Sequence, residues 1–182
     1  MSKVYAFMAE GLEEVECLAA ADVLIRGGVE VTLVSVGASK EVTGSHGFRI
    51  IADKLFSEVN PEDADVLFLP GGMPGTRNLG ACRLLCDSLL RANEQGKKIA
   101  AICAAPSVLG DLGILNGKTA TCYPGYEERL TGAIHTDAGV VTDGNVTTAR
   151  GLGYALDLGI ELLRILKNEE TALQVKKSIQ YE

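Results

Sequence analysis

Ile99-Ala100-Ala101-Ile102-Cys103-Ala104-Ala105-Pro106-Ser107-Val108-Leu109 joins two kinds of structure at one cysteine. Ile99 to Ile102 is an apolar run suited to a buried strand. Pro106 fits the first turn of a helix, where a missing N–H is no loss and φ is already helical. Cys103 therefore stands at a strand-to-helix turn, at the top of a sheet and beside the positive end of a helix. That is the geometry of a nucleophile elbow, with sulfur in place of oxygen.

Outward from that turn the chain alternates strand and helix. Towards the N-terminus, Leu79 to Gln95 reads as a helix stopped by Gly96, and Asp65 to Pro70 as a core strand ended by Gly71-Gly72. Residues 37 to 54, with Gly44 and Gly47, read as a hairpin excursion. Glu30 to Val36 is a strand. Glu13 to Arg26 is a helix with acidic residues first, Arg26 last and Gly27-Gly28 as its stop. Val4 to Ala9 is a central strand. Towards the C-terminus, Thr119 to Thr121 reads as a short strand. Val140 to Thr142 and Asn145 to Thr148 form a hairpin through Asp143-Gly144. Ala155 to Lys167 is a helix with Leu156, Gly159, Ile160, Leu163 and Leu166 on one stripe. Asn168 caps a last helix that turns Ala172, Val175 and Ile179 inward. Such alternation implies a mostly parallel sheet covered by helices on both faces, forming one domain over residues 1–182.

With 182 residues the chain can bury a sizeable core. Its net charge of -7 argues against a nucleic-acid or anionic-membrane partner, because those need a basic footprint. No apolar run approaches the roughly 20 residues of a membrane span, and Val4 to Ala9 is too short for a signal-peptide core. The chain reads as cytoplasmic. Its five cysteines are odd in number and lack C-x-x-C spacing, so reduced thiols are expected rather than a disulfide framework. Cys82 and Cys86 share a helix face, but no second pair of ligands accompanies them, so no metal is expected. Cys17 and Cys122 read as packed strand or helix residues.

Ligands on parallel sheets bind at the carboxyl ends of strands. The loop after Ala9, Gly71-Gly72 and Cys103 all fall there. The glycine pair allows a tight turn with positive φ, a loose phosphate loop that matches neither standard spacing, or an oxyanion hole beside Cys103 shared with the Ala104 N–H. Glu16 has Ala19, Ala20 and Val23 as its helical neighbours, so it points inward while Glu13 and Glu14 reach solvent. A plainer reading makes Glu16 a first-turn glutamate favoured by the helix dipole. If Glu16 meets Cys103, its protonated carboxyl donates to the thiolate. A free thiol with pKa of about 8.5 is only a few per cent ionised near neutral pH. A helix terminus supplies at most ~2 kcal/mol, or about 1.5 pKa units, so a strongly acidic thiol needs a further donor.

Glu13-Glu14-Val15-Glu16, Leu69-Pro70-Gly71-Gly72, Ala101 to Pro106 and Ala149-Arg150-Gly151-Leu152-Gly153 together resemble the ThiJ/PfpI superfamily, most nearly its Parkinson-disease deglycase branch. The resemblance runs from Val4 to about Lys176. It implies a flavodoxin-like α/β sandwich, a homodimer, and no cofactor. It implies an oxidisable elbow cysteine at Cys103, a glutamate bonded to it at Glu16, and anion-holding N–H groups around Gly71, Gly72 and Ala104. It places His46 near the dimer interface, within reach of the partner's pocket, and Arg150 on a loop against the partner subunit. Tyr123 stands where some relatives carry a histidine, which leaves Glu16 as the proton shuttle. Cys122, next to it, is a candidate resolving thiol for oxidised Cys103. Peptidase-like members follow the cysteine with histidine; here Ala104 follows, so proteolysis is not expected. The implied activity is conversion of reactive aldehydes such as methylglyoxal to lactate, or repair of glycated proteins. The alternative is a redox sensor or holdase chaperone built on the same thiol.

Overall fold

The computed structural model of the chain describes residues 2–181. In chain order its elements are β1 (Lys3–Met8), α1 (Glu14–Arg26), β2 (Glu30–Ser35), β3 (Glu41–Thr43), β4 (Arg49–Ile51), β5 (Lys54–Leu55), β6 (Val66–Leu69), α2 (Gly75–Ala81) and α3 (Arg83–Glu94). There follow β7 (Lys98–Ile102), α4 (Pro106–Asp111), β8 (Thr119–Ala120), β9 (Ile134–His135), β10 (Val140–Asp143), β11 (Val146–Ala149), α5 (Ala155–Leu166) and α6 (Glu169–Ser178).

The main sheet runs β10-β11-β7-β6-β1-β2-β5, and only β10 is antiparallel to its neighbour. Its five principal strands, β2-β1-β6-β7-β11, have the flavodoxin order 2-1-3-4-5. Side chains alternate between two cores, as the pleat requires. Val4, Ala6, Met8, Phe68 and Ile102 meet α1 and α5 on one face. Phe7, Leu67, Leu69, Ile99 and Ala101 meet Leu79, Leu89 and Leu109 on the other. Gly159 lets α5 close on α1: a Cβ there would lie 2.7 Å from that of Val23. The order of strands reverses between β1 and β6, and ligands on such sheets bind outside that crevice.

Several sequence expectations need correction. The helix expected over Leu79 to Gln95 is two helices, broken at Cys82, whose ψ of 94 ends α2 and starts α3. Cys82 is thus the joint between the two helices, and the Cys86 thiol donates to the Gly80 carbonyl at 3.3 Å. The β10–β11 turn is Gly144-Asn145, one residue later than expected, with Asp143 paired to Val146. Asp143 stays in the strand because its carboxylate accepts from Thr119 N at 2.7 Å. On α5, Leu158 and Leu162 are fully buried while Leu156 and Leu166 are only partly so, because α5 packs on α1 and α6 as well as on the sheet. The 37–54 excursion is the antiparallel pair β3–β4, and β5 then returns to the sheet edge beside β2. The short strand expected at Thr119 to Thr121 is β8, paired in parallel with β9 outside the main sheet. Asn168 caps α6 as expected, accepting from Thr171 N at 2.8 Å. No helix among the described residues is long and apolar enough to cross a membrane.

Candidate functional site

β7 is paired on both sides and delivers Cys103 at its carboxyl end. Cys103 has φ of +64, a left-handed conformation that costs a non-glycine residue roughly 1–2 kcal/mol. Two backbone hydrogen bonds hold it there: Cys103 N donates to Ala149 O at 2.9 Å, and Tyr123 N donates to Cys103 O at 2.8 Å. The elbow expected from the sequence is present. The helix after it, α4, has only 6 residues and a cap, Ala105, whose side chain makes no capping bond. Support for the sulfur therefore comes less from a helix dipole than from the nearby N–H groups of Ala104 and Gly72, which work to lower its pKa.

The first turn of α1 meets this sulfur from the other side of the β1–β6 crevice. Glu16 is 1% exposed and its carboxyl lies beside Cys103, each group shifting the titration of the other. Its Oε2 also accepts from Gly71 N at 3.0 Å. Gly71 has to be glycine: a Cβ would lie 2.6 Å from both Cys103 Cβ and Glu16 Oε2. Gly72 has φ of +88, and a Cβ there would strike the Glu13 backbone nitrogen. Glu13 N donates to Gly71 O at 2.8 Å, which ties the two loops together. Glu13 and Glu14 do not reach solvent as expected; both are buried. Glu13 caps α1, its Oε2 accepting from Glu16 N at 2.6 Å. Glu14 lies against Gly44 and pairs with His46, Oε2 to Nδ1, at 3.0 Å. The signal for both was present as an acidic run at a helix start, but nothing in it announced the hairpin that covers them.

Burial pushes the Glu16 carboxyl up to about 7, with the Glu13 charge adding to it and the bonds from Cys103 and Gly71 opposing. Burial also pushes the Cys103 thiol up to about 12, followed by the charge and hydrogen bond of Glu16, against donation by Ala104 and Gly72. The two rises share one origin: this enclosed pair resists carrying two negative charges, so near neutral pH it keeps at least one proton, with Glu16 the group that titrates there. Two of the three causes that raise the thiol exist only while Glu16 is ionised. A protonated Glu16 removes that charge and becomes a donor.

The other candidates surround the pair at greater remove. Tyr123 is half exposed, and its ring lies 3.3 Å from where a Cβ on Gly151 would stand. Cys122 is 1% exposed, and burial with the Glu127 charge pushes its thiol up to about 11. Arg150 pairs within its own chain, with the Asp137 carboxylate at 3.7 Å. His46 sits on the β3–β4 turn and bonds Glu14, not Cys103. All five cysteines are free thiols. Among the described residues one trio, Glu13, Glu14 and His46, brings possible metal-ligand atoms within 4.8 Å of one another; the Glu14–His46 contact already occupies part of that set.

The chain matches the DJ-1/PfpI family over residues 2–165. It is 37% identical to Protein DJ-1 homolog B of Arabidopsis thaliana over 95% of this chain and 40% of that one. The chain thus spans about two fifths of the length of the Arabidopsis relatives it matches. It is 31% identical to the glutathione-independent glyoxalase DJR-1.2 of Caenorhabditis elegans, over 93% of this chain and 91% of the relative. Among solved structures it resembles oxidized Toxoplasma gondii DJ-1 with a TM-score of 0.96 and 34% identity, over 100% of this chain and 99% of that one. On the family match, the strand order and the elbow, this chain belongs to the DJ-1/PfpI family.

Proposed function

We propose that the chain is a cysteine-dependent, cofactor-independent enzyme of reactive carbonyls that converts methylglyoxal to lactate. The observation that carries this reading is the close approach of buried Glu16 to Cys103 at the elbow, both packed against Gly71, with the Glu16 carboxyl raised to about 7. Cys103 thiolate adds to the aldehyde carbon, and the carbonyl oxygen takes a proton as it becomes a hydroxyl. The N–H groups of Gly72 and Ala104 hold that oxygen while its charge develops. Glu16, now ionised, takes the proton from the former aldehyde carbon and returns it to the neighbouring carbon. The product of that shift is a lactoyl thioester, which water cleaves to lactate and free Cys103. The glyoxalase name of the Caenorhabditis relative supports this assignment. On an early hemiaminal adduct of a protein side chain, Cys103 would displace the side-chain nitrogen from that carbon, the C–S bond forming as the C–N bond breaks and the freed amine takes a proton, and the same shift and hydrolysis would then give lactate. Incubation with methylglyoxal, following lactate in wild type, Cys103→Ser and Glu16→Gln, tests it; turnover in wild type no greater than in Cys103→Ser defeats it.

A second reading has its own support in the oxidized Toxoplasma structure. The same donors would hold the oxygens of an oxidised Cys103 sulfur, making the chain a redox sensor or holdase. Peroxide that leaves Cys103 unmodified while other thiols oxidise removes this reading. We also infer a homodimer. Val15 and Leu18 on α1, with Phe48 and Ile51 on the hairpin clasped to its first turn, leave large apolar side chains exposed.

A further inference from the structure

We propose that His46 is a positioning residue for the Cys103–Glu16 pair: its imidazolium clasps the β3–β4 turn onto the first turn of α1, and losing that proton loosens the hold on Glu16. The proposal rests on the reading of Cys103 and Glu16 as the working pair. The clasp is continuous in space. His46 Nδ1 lies 3.0 Å from Glu14 Oε2 and 3.6 Å from Glu13 Oε1. His46 N donates to Glu14 Oε1 at 2.8 Å. The Glu14 side chain lies flat on Gly44, where any Cβ would collide with its carboxyl group. The hairpin is stitched to the same segment by Gly11 N to Thr43 O and Ser45 N to Leu12 O, both at 2.8 Å. From there the chain of contacts continues into the site: Glu13 caps the Glu16 N–H, and its own N–H holds Gly71, the donor to Glu16.

The groups facing His46 are Glu13 and Glu14 from α1 and the Ser45 hydroxyl from its own turn. Glu10, in the loop after β1, bonds Thr43 N at 3.2 Å. Arg49 on β4 faces Glu41 at 3.6 Å rather than this cluster. Among the described residues, His46 is thus the one cationic partner of two buried carboxylates. The hydrogen bond and charge of Glu14 raise the His46 ring above its usual value, while burial works to raise Glu14 but its bonds with His46 hold it lower. Nδ1 also has Ser45 Oγ at 3.2 Å. Protonated, Nδ1 donates to Glu14. On neutralisation the ring keeps the Nδ1 hydrogen that Glu14 accepts and releases the Nε2 proton, so the contact loses its charge rather than its hydrogen bond. On the same rise in pH Glu16 ionises, so two carboxylates lose their counter-charge as a third in the same helical turn gains its charge.

The test is the rate of Cys103 alkylation by iodoacetamide, followed on the Cys103 peptide between pH 5.5 and 8.5, in wild type, His46→Arg and His46→Gln. Holding protonated Glu16 in place as a donor favours the thiolate, so at the acid end the Arg variant should react roughly two- to threefold faster than the Gln variant, the scale of an exposed ion pair, with the gap closing as Glu16 ionises. Wild type should follow Arg at the acid end and cross over to Gln above pH 6.5, before the profiles converge at the alkaline end. Glu14→Gln, which keeps an oxygen for the His46 N–H, should erase the crossing and serves if a His46 variant misfolds. Superimposed profiles for all variants overturn the proposal. No methylglyoxal is present, so a crossing without carbonyl turnover leaves the clasp and removes the enzyme reading. Turnover with superimposed profiles does the reverse.

Discussion

Replacing Glu16 by Gln keeps the shape of the buried side chain and removes its titration. The magnitude follows from the site. The folded carboxyl titrates at about 7 against an ordinary value of 4.5, a gap of roughly 2.5 units. At 1.36 kcal/mol per unit this amounts to an upper figure of about 3 kcal/mol. The sign is set by proton binding. Between pH 4.5 and 7 the folded chain keeps the Glu16 proton while the unfolded chain has released it. The contribution is complete below pH 4.5 and is lost as pH rises through 7. Urea denaturation at pH 5, 6, 7 and 8 reads this directly. The stability of wild type relative to Glu16→Gln should fall by up to about 3 kcal/mol across the series, most of it below pH 7.5. Parallel stability curves for the two proteins would refute the claim that Glu16 is held as a buried, proton-keeping carboxyl beside Cys103.

Three further outcomes are expected. Gly71→Ala drives a methyl group between Cys103 and Glu16, so it should cost about 1–3 kcal/mol in urea denaturation and slow Cys103 alkylation; an unchanged protein would contradict the close approach. Mild peroxide should modify Cys103 without yielding a Cys103–Cys122 crosslinked peptide by mass spectrometry, because Cys122 is buried while Cys103 is partly exposed; recovery of that peptide would give Cys122 the resolving role after all. Phe48→Glu, placed in the exposed apolar face, should shift the mass measured by light scattering from dimer towards monomer, and an unchanged dimer mass would place the interface elsewhere.

The parts of the fold legible in the sequence are those where local pattern and global packing agree. Ile99 to Ile102 had to be buried on both faces, and β7 is. Pro106 opens α4 because it lacks the N–H that a first turn leaves unused. Periodicity left Glu16 open between an inward carboxyl and a first-turn glutamate, and left Gly71-Gly72 open among three kinds of turn; the close approach of Glu16, Gly71 and Cys103 decides for the inward reading. What escaped depended on contacts between distant segments. Glu13 and Glu14 are polar and lie at a helix start, so the sequence offered no reason to bury them. The hairpin carrying Gly44 and His46, 30 residues and more down the chain, covers them. Cys82 looked like a helix interior because breaking α2 from α3 requires no proline, only a ψ that the packing of α2 on α4 imposes. The one-residue shift of the β10–β11 turn came from Asp143, whose carboxylate is engaged by Thr119 rather than by its own turn.

The most direct test of the central claim is lactate formation by purified protein given methylglyoxal, with wild type, Cys103→Ser and Glu16→Gln measured side by side. The account predicts lactate from wild type, none above background from Cys103→Ser, and a rate at least tenfold lower in Glu16→Gln, the low end of what a positioned proton shuttle supplies being about 10²-fold. Lactate formation by Cys103→Ser at the wild-type rate would contradict it.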